Sequence, residues 1–567
     1  MTQLPYAALH GWPGLLSAYA VVQLPLLAGL IHGGAPVRRL LLAPLAAAPL
    51  TLACGAALAA ASALGLSAGD AMLQLASGAA ASGMLGYAVG RRLARAPLPG
   101  ATHHRGALVN ESEPPTPAGA MRARALGGPR RGITLAGMAV APEDEVKHFK
   151  LIGTTGTGKS TAIAEMLAAA LARGDRAVIA DPDGGYLRRF YRPQRGDQIL
   201  NPFEPHSARW DLFAEIRHEY DVEQLARSLI PDHEGPDRSW RGYARTFFSA
   251  VTSQARAAGN REVSELYRLL VIAATSELRT LVAGTPAQPF LEEHNGRMFD
   301  SIRSVTSSAV ASLDYVARQR SAPLAVRDWV QAGAGGGGAL FMPYRAGQIA
   351  ALRSTISAWM RLAIFEAMNA EEGAQRLWFV VDELDALGQI DGLKDALARL
   401  RKFGGRCVLG FQSVAQVSST YGSGEAQTLV ENCGNTLILR CSGSEHGGTS
   451  LFASRLIGER EVSRTSTSRS RRATELVPSV THAEHLSVEL AVMGSQIEQL
   501  PDLSGYLKLA SSPEWRRVRL QPAPQPAAAL KDNMVDFPRR YRATPPVTAT
   551  PPVTATTAAS RESLEPE

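Results

Sequence analysis

Cysteine is scarce in this chain of 567 residues, and its scarcity argues against two classes of protein. No C-x-x-C pair and no cysteine–histidine spacing suited to structural zinc is present. A disulfide-stapled secreted scaffold and a zinc-organised fold are therefore not expected. We interpret the four cysteines as reduced or neutral core residues in the cytosol, namely Cys54, Cys407, Cys433 and Cys441.

The chain also lacks a strong charge bias, and no lysine or arginine precedes Leu15. A cleaved secretory signal peptide needs a basic N-terminal region, so none is expected here. The net charge of +7 is modest, although a basic balance permits a polyanionic partner. The length exceeds that of one compact domain and supplies ample core material.

Charged residues are absent from three stretches near the N-terminus, residues 15–31, 40–66 and 71–90. At about 1.5 Å per residue, each can cross or nearly cross a hydrocarbon core of roughly 30 Å. Arginines follow the first and third stretches, so the positive-inside rule predicts three spans, with everything after Arg91 in the cytoplasm. The first stretch is short and contains Pro25, which leaves two spans with both termini inside as the alternative.

Glycine is concentrated where the chain reads G-T-T-G-T-G-K-S, from Gly153 to Ser160, which satisfies the phosphate-loop pattern. Glycines let such a loop point its N–H groups at phosphate oxygens, while Lys159 reaches the β- and γ-phosphates and Ser160 binds Mg²⁺. An apolar stretch before the loop and a helical run after it argue against a chance glycine loop. The predicted nucleotide-binding residues are Gly153, Thr154, Thr155, Gly156, Thr157, Gly158, Lys159, Ser160 and Thr161.

A second motif lies far downstream, where an apolar run from Leu377 ends in Asp382 and Glu383. An entirely apolar run is typical of a parallel strand buried on both faces. Asp382 is predicted to hold Mg²⁺ through water, and Glu383 to polarise the attacking water. The alternative is that the two carboxylates merely cap the next helix. Together the two motifs predict hydrolysis of ATP with Mg²⁺ as cofactor.

The periodicity of the chain predicts six regions. These are a transmembrane anchor (1–95), a linker (96–131), two parts of an α/β ATPase domain (132–214 and 322–520), an all-helical insertion between them (215–321), and a disordered Pro/Thr-rich tail (521–567). Residues 463–472 read S-R-T-S-T-S-R-S-R-R and are interpreted as a solvated, disordered loop. The alternative is a basic loop that faces DNA.

Several segments together resemble the conjugative coupling proteins, the TraD/TrwB-type ATPases of type IV secretion. They are the phosphate loop, V-I-A-D-P-D-G-G, I-L-N-P-F, V-D-E-L-D-A-L and G-F-Q-S-V-A-Q, and they keep the family's order. The resemblance implies a RecA-like P-loop NTPase with an all-α inserted domain and a transmembrane anchor in the bacterial inner membrane. It also implies a ring, expected to be a hexamer, that moves DNA.

The resemblance implies partners as well as roles for individual residues. The partners are single- and double-stranded DNA, the relaxase with its relaxosome proteins, and components of the secretion channel. By position, Gln412 matches a glutamine that could sense the γ-phosphate. Arg401 matches an arginine that looks like a trans-acting finger, and Arg440 is a weaker candidate for that role. The alternative for Arg401 is a surface charge at a helix end.

Two other functions remain open from the sequence. One is a FtsK/HerA-like DNA translocase in chromosome partitioning. The other is a docking receptor that uses nucleotide binding as a switch and recruits secreted proteins without pumping DNA. Glu383 and Gln412 argue against a pure switch, whereas the helical insertion suits recruitment of relaxosome proteins.

Overall fold

The computed structural model describes residues 12–33, 35, 40–45, 47–49, 51–53, 56, 68–94, 102–112, 132–232, 237–332, 338–371, 376–444, 447–470 and 479–522. They form two compact units, one within Met1–Val109 and Ser454–Met493, the other within Asn110–Ala453 and Gly494–Glu567. Cys54, most of the predicted linker and nearly all of the predicted tail lie outside the described residues.

Most strands of the described residues have seven residues or fewer, and two in the first unit have twelve. In chain order they are β1 (Thr102–Gly106), β2 (Leu108–Asn110), β3 (Thr134–Leu135), β4 (Met138–Ala139), β5 (Phe149–Ile152), β6 (Arg176–Pro182), β7 (Gln198–Ile199), β8 (Arg209–Trp210), β9 (Pro323–Leu324), β10 (Gly338–Tyr344), β11 (Leu377–Val381), β12 (Gly405–Phe411), β13 (Asn435–Ile438), β14 (Glu459–Ser470), β15 (Ser479–Leu490), β16 (Ser504–Lys508) and β17 (Glu514–Arg519).

Helices lie between many of these strands along the chain. In chain order they are α1 (Trp12–His32), α2 (Ala68–Ala94), α3 (Pro142–Glu145), α4 (Lys159–Arg173), α5 (Gly185–Phe190), α6 (Tyr220–Leu229), α7 (Arg238–Ala257), α8 (Val263–Tyr267), α9 (Thr275–Leu281), α10 (Gly296–Ala309), α11 (Leu313–Arg318), α12 (Val326–Gln331), α13 (Ala346–Ala367), α14 (Leu393–Leu400), α15 (Val414–Tyr421), α16 (Ser423–Glu431), α17 (Gly448–Ile457) and α18 (Gly494–Glu498).

One sheet organises the second unit, with the strand order β17-β16-β13-β5-β12-β11-β6-β10-β7. From β13 to β7 every neighbouring pair is parallel, as the alternation of strands and helices predicts. Beyond β13 the sheet is mixed, because β16 runs antiparallel to both β13 and β17. The turn between β16 and β17 is short, and only an antiparallel pair can be joined without a long crossover.

The central strands are buried along their whole lengths because helices cover both faces of the sheet. α4 packs Ile163, Met166 and Leu167 against β5 and its neighbours, and Phe149 stacks on Trp378 with ring centroids 6.0 Å apart. The described cysteines of this unit, Cys407, Cys433 and Cys441, are buried with free thiols, as expected of core residues.

The described elements of residues 215–321 are helical, from α6 to α11, with short 3-10 and π turns between them. β8 enters this region and β9 leaves it, and the two strands pair in parallel. The chain therefore leaves and rejoins the α/β layer at neighbouring points. Trp210 on β8 packs edge to face on Trp359 of α13, with ring centroids 5.8 Å apart, and both side chains are fully buried.

In the first unit, α1 and α2 pack so closely that only glycine fits at the contacts. A Cβ on Gly29 would lie 2.2 Å from the Gly83 carbonyl oxygen, and one on Gly86 would lie 2.3 Å from that of Leu26. Within the described residues, no helix combines the length and apolar character needed to cross a bilayer. The described helices therefore do not confirm the prediction of two or three membrane spans.

Two segments predicted as irregular contain strands. Residues 102–110 of the predicted linker form β1 and β2, and residues 463–470 of the predicted disordered loop belong to β14. β14 pairs with β15 in a long antiparallel ladder from Glu459 with Leu490 to Ser470 with Ser479, and β1 pairs with its other edge. β1 and β14 are rich in Ser, Thr, His and Arg and lack the apolar alternation that would have predicted them, so backbone pairing forms them.

Candidate functional site

The phosphate loop joins β5 to α4 at the carboxyl edge of the parallel sheet. Gly156 and Gly158 have φ angles of 78° and 118°, in the left-handed region where glycine meets no steric cost. A Cβ on Gly158 would also lie 2.9 Å from side-chain atoms of Leu503 and Leu520, two residues that sequence reasoning missed. The Leu503 N–H donates to the Thr157 carbonyl at 3.0 Å, so the C-terminal part of the unit supports the loop.

Lys159 is buried and folded back on its own loop. Its Nζ donates to the carbonyl oxygens of Gly153 at 2.7 Å and Thr154 at 3.2 Å. Burial lowers the pKa of Lys159, while the nearby charges of Asp382 and Glu383 oppose that shift. The ammonium group therefore occupies a buried position where the charges of nearby carboxylates offset part of the cost of burial.

Asp382 follows β11 and meets the phosphate loop directly. The Ser160 hydroxyl donates to Asp382 Oδ2 at 2.6 Å, which brings together the two residues predicted to hold Mg²⁺. The Tyr186 hydroxyl donates to the same oxygen at 2.8 Å. Sequence reasoning missed Tyr186, because nothing in its local pattern separates it from a core aromatic residue.

Glu383 and Gln412 lie side by side at the ends of the neighbouring strands β11 and β12. The Gln412 amide nitrogen donates to Glu383 Oε1, and the Thr155 hydroxyl donates to the Gln412 amide oxygen at 3.0 Å. Burial, and then the charge of Asp382, raise the pKa of Glu383 above its ordinary value. A carboxylate with a raised pKa is a better proton acceptor, which suits the predicted general base.

A cleft of about 440 Å³ connects these groups. Its lining includes nine of the predicted site residues, which are Thr155, Gly156, Gly158, Lys159, Ser160, Thr161, Asp382, Glu383 and Gln412. Gly153, Thr154 and Thr157 lie behind the lining and hold the loop, since the Thr154 N–H donates to the Arg440 carbonyl at 2.9 Å. Pro182 and Arg189 also line the cleft and were not predicted.

The two predicted arginine fingers lie outside the cleft. Arg401 is exposed in the 3-10 turn Arg401–Phe403 that precedes β12, whereas Gln412 follows the other end of that strand. A strand of seven residues spans roughly 20 Å, so Arg401 cannot reach the cleft of its own subunit. Arg440 is half-buried, and its Nη2 pairs with Asp502 Oδ1 at 2.6 Å.

The donor set fits Mg²⁺ bound together with a nucleotide. Magnesium prefers oxygen ligands, and it is commonly held by one or two carboxylates together with substrate phosphates. Ser160 and Asp382 supply a hydroxyl and a carboxylate beside the phosphate loop. Within the described ranges, no cluster of three or more His, Cys, Asp or Glu could hold a metal by itself. The hydroxyl of Ser160 and the carboxylate of Asp382 suit a metal that arrives with phosphates.

Comparisons with known proteins agree with this arrangement. Residues 132–521 match the family model described as the type IV secretion-system coupling protein DNA-binding domain. The chain is 32% identical over 403 residues to the coupling protein TraD of Escherichia coli (strain K12), an alignment that covers 70% of this chain and 54% of that relative. The chain thus spans about half the length of the curated relative.

Solved structures of the coupling protein TrwB are also similar. The unbound form of TrwBΔN70 is 30% identical, with a TM-score of 0.65, over 77% of this chain and 97% of that chain. TrwB in complex with the non-hydrolysable ATP analogue ADPNP, and TrwB with ADP and Mg²⁺, match with the same identity, coverage and TM-score. On the extent of the family match and the similarity to TrwB, this chain belongs to the family of type IV secretion-system coupling proteins.

Proposed function

We propose that this protein is a ring-forming ATPase that couples the relaxosome to a type IV secretion channel and pumps single-stranded DNA. The observation that carries the proposal is the convergence of Lys159, Ser160, Asp382, Glu383 and Gln412 on one cleft. The TrwB structures with ADPNP and with ADP and Mg²⁺ support ATP and Mg²⁺ as ligands of this chain. Bound Mg²⁺ would neutralise charge on the β- and γ-phosphate oxygens.

The residues of the cleft divide the work. When nucleotide binds, Lys159 releases the carbonyl oxygens of Gly153 and Thr154 and donates its hydrogen bonds to phosphate oxygens instead. The ammonium group therefore keeps hydrogen-bond partners in both states. Glu383 accepts a proton from the attacking water, helped by its raised pKa. Gln412 must release Glu383 before that water can enter, so its amide can report whether the γ-phosphate is present.

A neighbouring subunit would complete the site. Arg401 lies on the surface, too far from its own cleft to act there, so we propose that it stabilises transition-state charge in the next subunit of a hexameric ring. Arg440 is a poorer finger because its guanidinium is engaged by Asp502. Single- and double-stranded DNA would both be bound through their phosphates. The proposed protein partners are the relaxase, its relaxosome proteins and the channel proteins.

Attachment to the bacterial inner membrane through residues 1–95 stays a prediction. Its test is whether the full chain remains in the membrane fraction after alkaline carbonate extraction. Release into the soluble fraction would end the proposal of a spanning anchor.

The decisive test of function is ATP hydrolysis by the purified chain with and without single-stranded DNA. We expect DNA-stimulated hydrolysis in the wild type. Lys159→Ala should lose most nucleotide affinity, because a charge and several phosphate contacts disappear together. Glu383→Gln should bind ATP normally and hydrolyse it far more slowly, because the loss falls on the transition state.

Other outcomes separate the competing functions. ATP binding without hydrolysis in the wild type would favour a nucleotide-switched docking receptor. Equal loss of binding in both variants would contradict the roles given to Lys159 and Glu383. Stimulation by double-stranded DNA alone would favour a partitioning translocase.

A further inference from the structure

Tyr186 makes a contact with the metal-binding carboxylate that the proposed mechanism does not use. Its hydroxyl donates to Asp382 Oδ2 at 2.8 Å, and the Ser160 hydroxyl donates to the same oxygen at 2.6 Å. Both Tyr186 and Asp382 are 4% exposed. Among the described residues, no side chain donates a hydrogen bond to Asp382 Oδ1, so the two carboxylate oxygens differ in their surroundings.

The backbone holds Tyr186 firmly in this position. It lies in the first turn of α5, where the buried Asp181 carboxylate accepts the N–H groups of Tyr186 at 3.0 Å and Leu187 at 2.6 Å. Asp181 belongs to β6, which pairs in parallel with β11 so that Ala180 lies opposite Val381. The same register therefore places Asp181 beside Asp382, and the Tyr186 hydroxyl lies within hydrogen-bond distance of Asp382 Oδ2.

The hydroxyl group remains a donor at any physiological pH. A phenol hydroxyl keeps its proton at neutral pH, because its ordinary pKa is about 10. A hydrogen bond from a neutral hydroxyl to a buried carboxylate is charge-assisted and stronger than one between neutral groups. The contact therefore restrains the rotation of the Asp382 carboxylate.

We propose that Tyr186 is a positioning residue for Mg²⁺: by occupying Oδ2 together with Ser160, it leaves Asp382 Oδ1 directed at the water shell of the metal. This inference rests on the proposed function, because it assumes a nucleotide–Mg²⁺ complex in the cleft. Mutation of a partner that orients a metal ligand typically lowers metal affinity by roughly 10- to 100-fold. The competing explanation is that Tyr186 serves only as a packed aromatic side chain in the core.

The test is Tyr186→Phe in the full chain, which keeps the ring and removes only the hydroxyl. A fluorescent ATP analogue is titrated in EDTA and then at increasing Mg²⁺ concentrations. We expect unchanged binding in EDTA and a half-maximal Mg²⁺ effect at a concentration roughly 10-fold or more above that of the wild type. Tyr191→Phe is the matched control, because Tyr191 follows the same helix and its ring packs on Phe341, away from Asp382.

A double-mutant cycle separates positioning from packing. In an Asp382→Asn background, Tyr186→Phe should change the Mg²⁺ dependence no further, because the restrained carboxylate is already gone. Equal Mg²⁺ dependence of Tyr186→Phe and the wild type would overturn the inference, and so would a loss of affinity in EDTA that matches the loss in Mg²⁺. A wild type that binds no nucleotide, or binds it without any response to Mg²⁺, would instead contradict the proposed function.

Discussion

The buried His148 should make the stability of the ATPase unit depend on pH, and the size of the effect follows from its surroundings. His148 is 2% exposed; its Nε2 donates to the Leu397 carbonyl at 2.9 Å, and its Nδ1 accepts the Cys407 N–H at 3.1 Å. Burial lowers the pKa of His148 from 6.5 to about 4, with the charges of Arg401 and Arg406 acting in the same direction.

The sign follows from comparing folded and unfolded chains. Above pH 6.5 the imidazole is neutral in both, so it adds no pH dependence. Between pH 6.5 and about 4, the unfolded chain takes up a proton that the folded chain refuses, so the free energy of unfolding falls as the pH falls. At about 1.36 kcal/mol per pH unit, the loss is about 2 kcal/mol at about pH 5 and about 3 kcal/mol below about pH 4.

The perturbation is His148→Asn, because Asn tolerates the φ of 57° at this position and keeps both a donor and an acceptor. Urea unfolding followed by tryptophan fluorescence is compared at about pH 7.5 and about pH 5, where the wild type should lose about 2 kcal/mol more than the variant. Arg401→Ala should reduce the loss at the acid end, because it removes one of the charges that lower the pKa of His148. Parallel pH profiles for the wild type and His148→Asn would refute the reasoning.

Three further predictions concern the loop, the ring and DNA. Gly158→Ala should weaken ATP binding much more than Gly156→Ala. The φ of 118° at Gly158 suits no L side chain, and a methyl group there would lie within 3 Å of neighbouring atoms, whereas nothing lies within 4 Å of a methyl group at Gly156. Equal ATP affinities of the two variants in a titration would contradict this prediction. Arg401→Ala should bind ATP normally yet hydrolyse it roughly 10³–10⁵-fold more slowly. Mixing it with Lys159→Ala should restore part of the activity, and no recovery in rings shown to be mixed would argue against a trans role. Affinity for single-stranded DNA should fall with salt, the logarithmic slope being about −0.7 per phosphate contact, and a flat salt profile would contradict a phosphate-gripping motor.

The sequence alone predicted the chemistry that lies within a few consecutive residues. The spacing of the glycines, Lys159 and Ser160 defines a phosphate loop, and an apolar strand that ends in Asp382 and Glu383 defines the acidic partner. The structure brings Ser160 and Asp382 within hydrogen-bond distance, because parallel strands bring their carboxyl ends to one edge of the sheet. The alternation of strands and helices likewise predicted the parallel core from β13 to β7.

Other features depend on contacts between distant parts of the chain. Tyr186 and Asp382 are 196 positions apart, and only the pairing of β6 with β11 makes them neighbours. The position of Arg401 away from its own cleft depends on the direction of β12, and the ladder of β14 with β15 depends on backbone pairing between polar segments. Local spacing determines which atoms a segment can offer, whereas strand order and direction are set by the packing of the whole sheet. For this protein, the sequence determined the groups that bind phosphate, and the tertiary structure decided which side chains hold those groups in place.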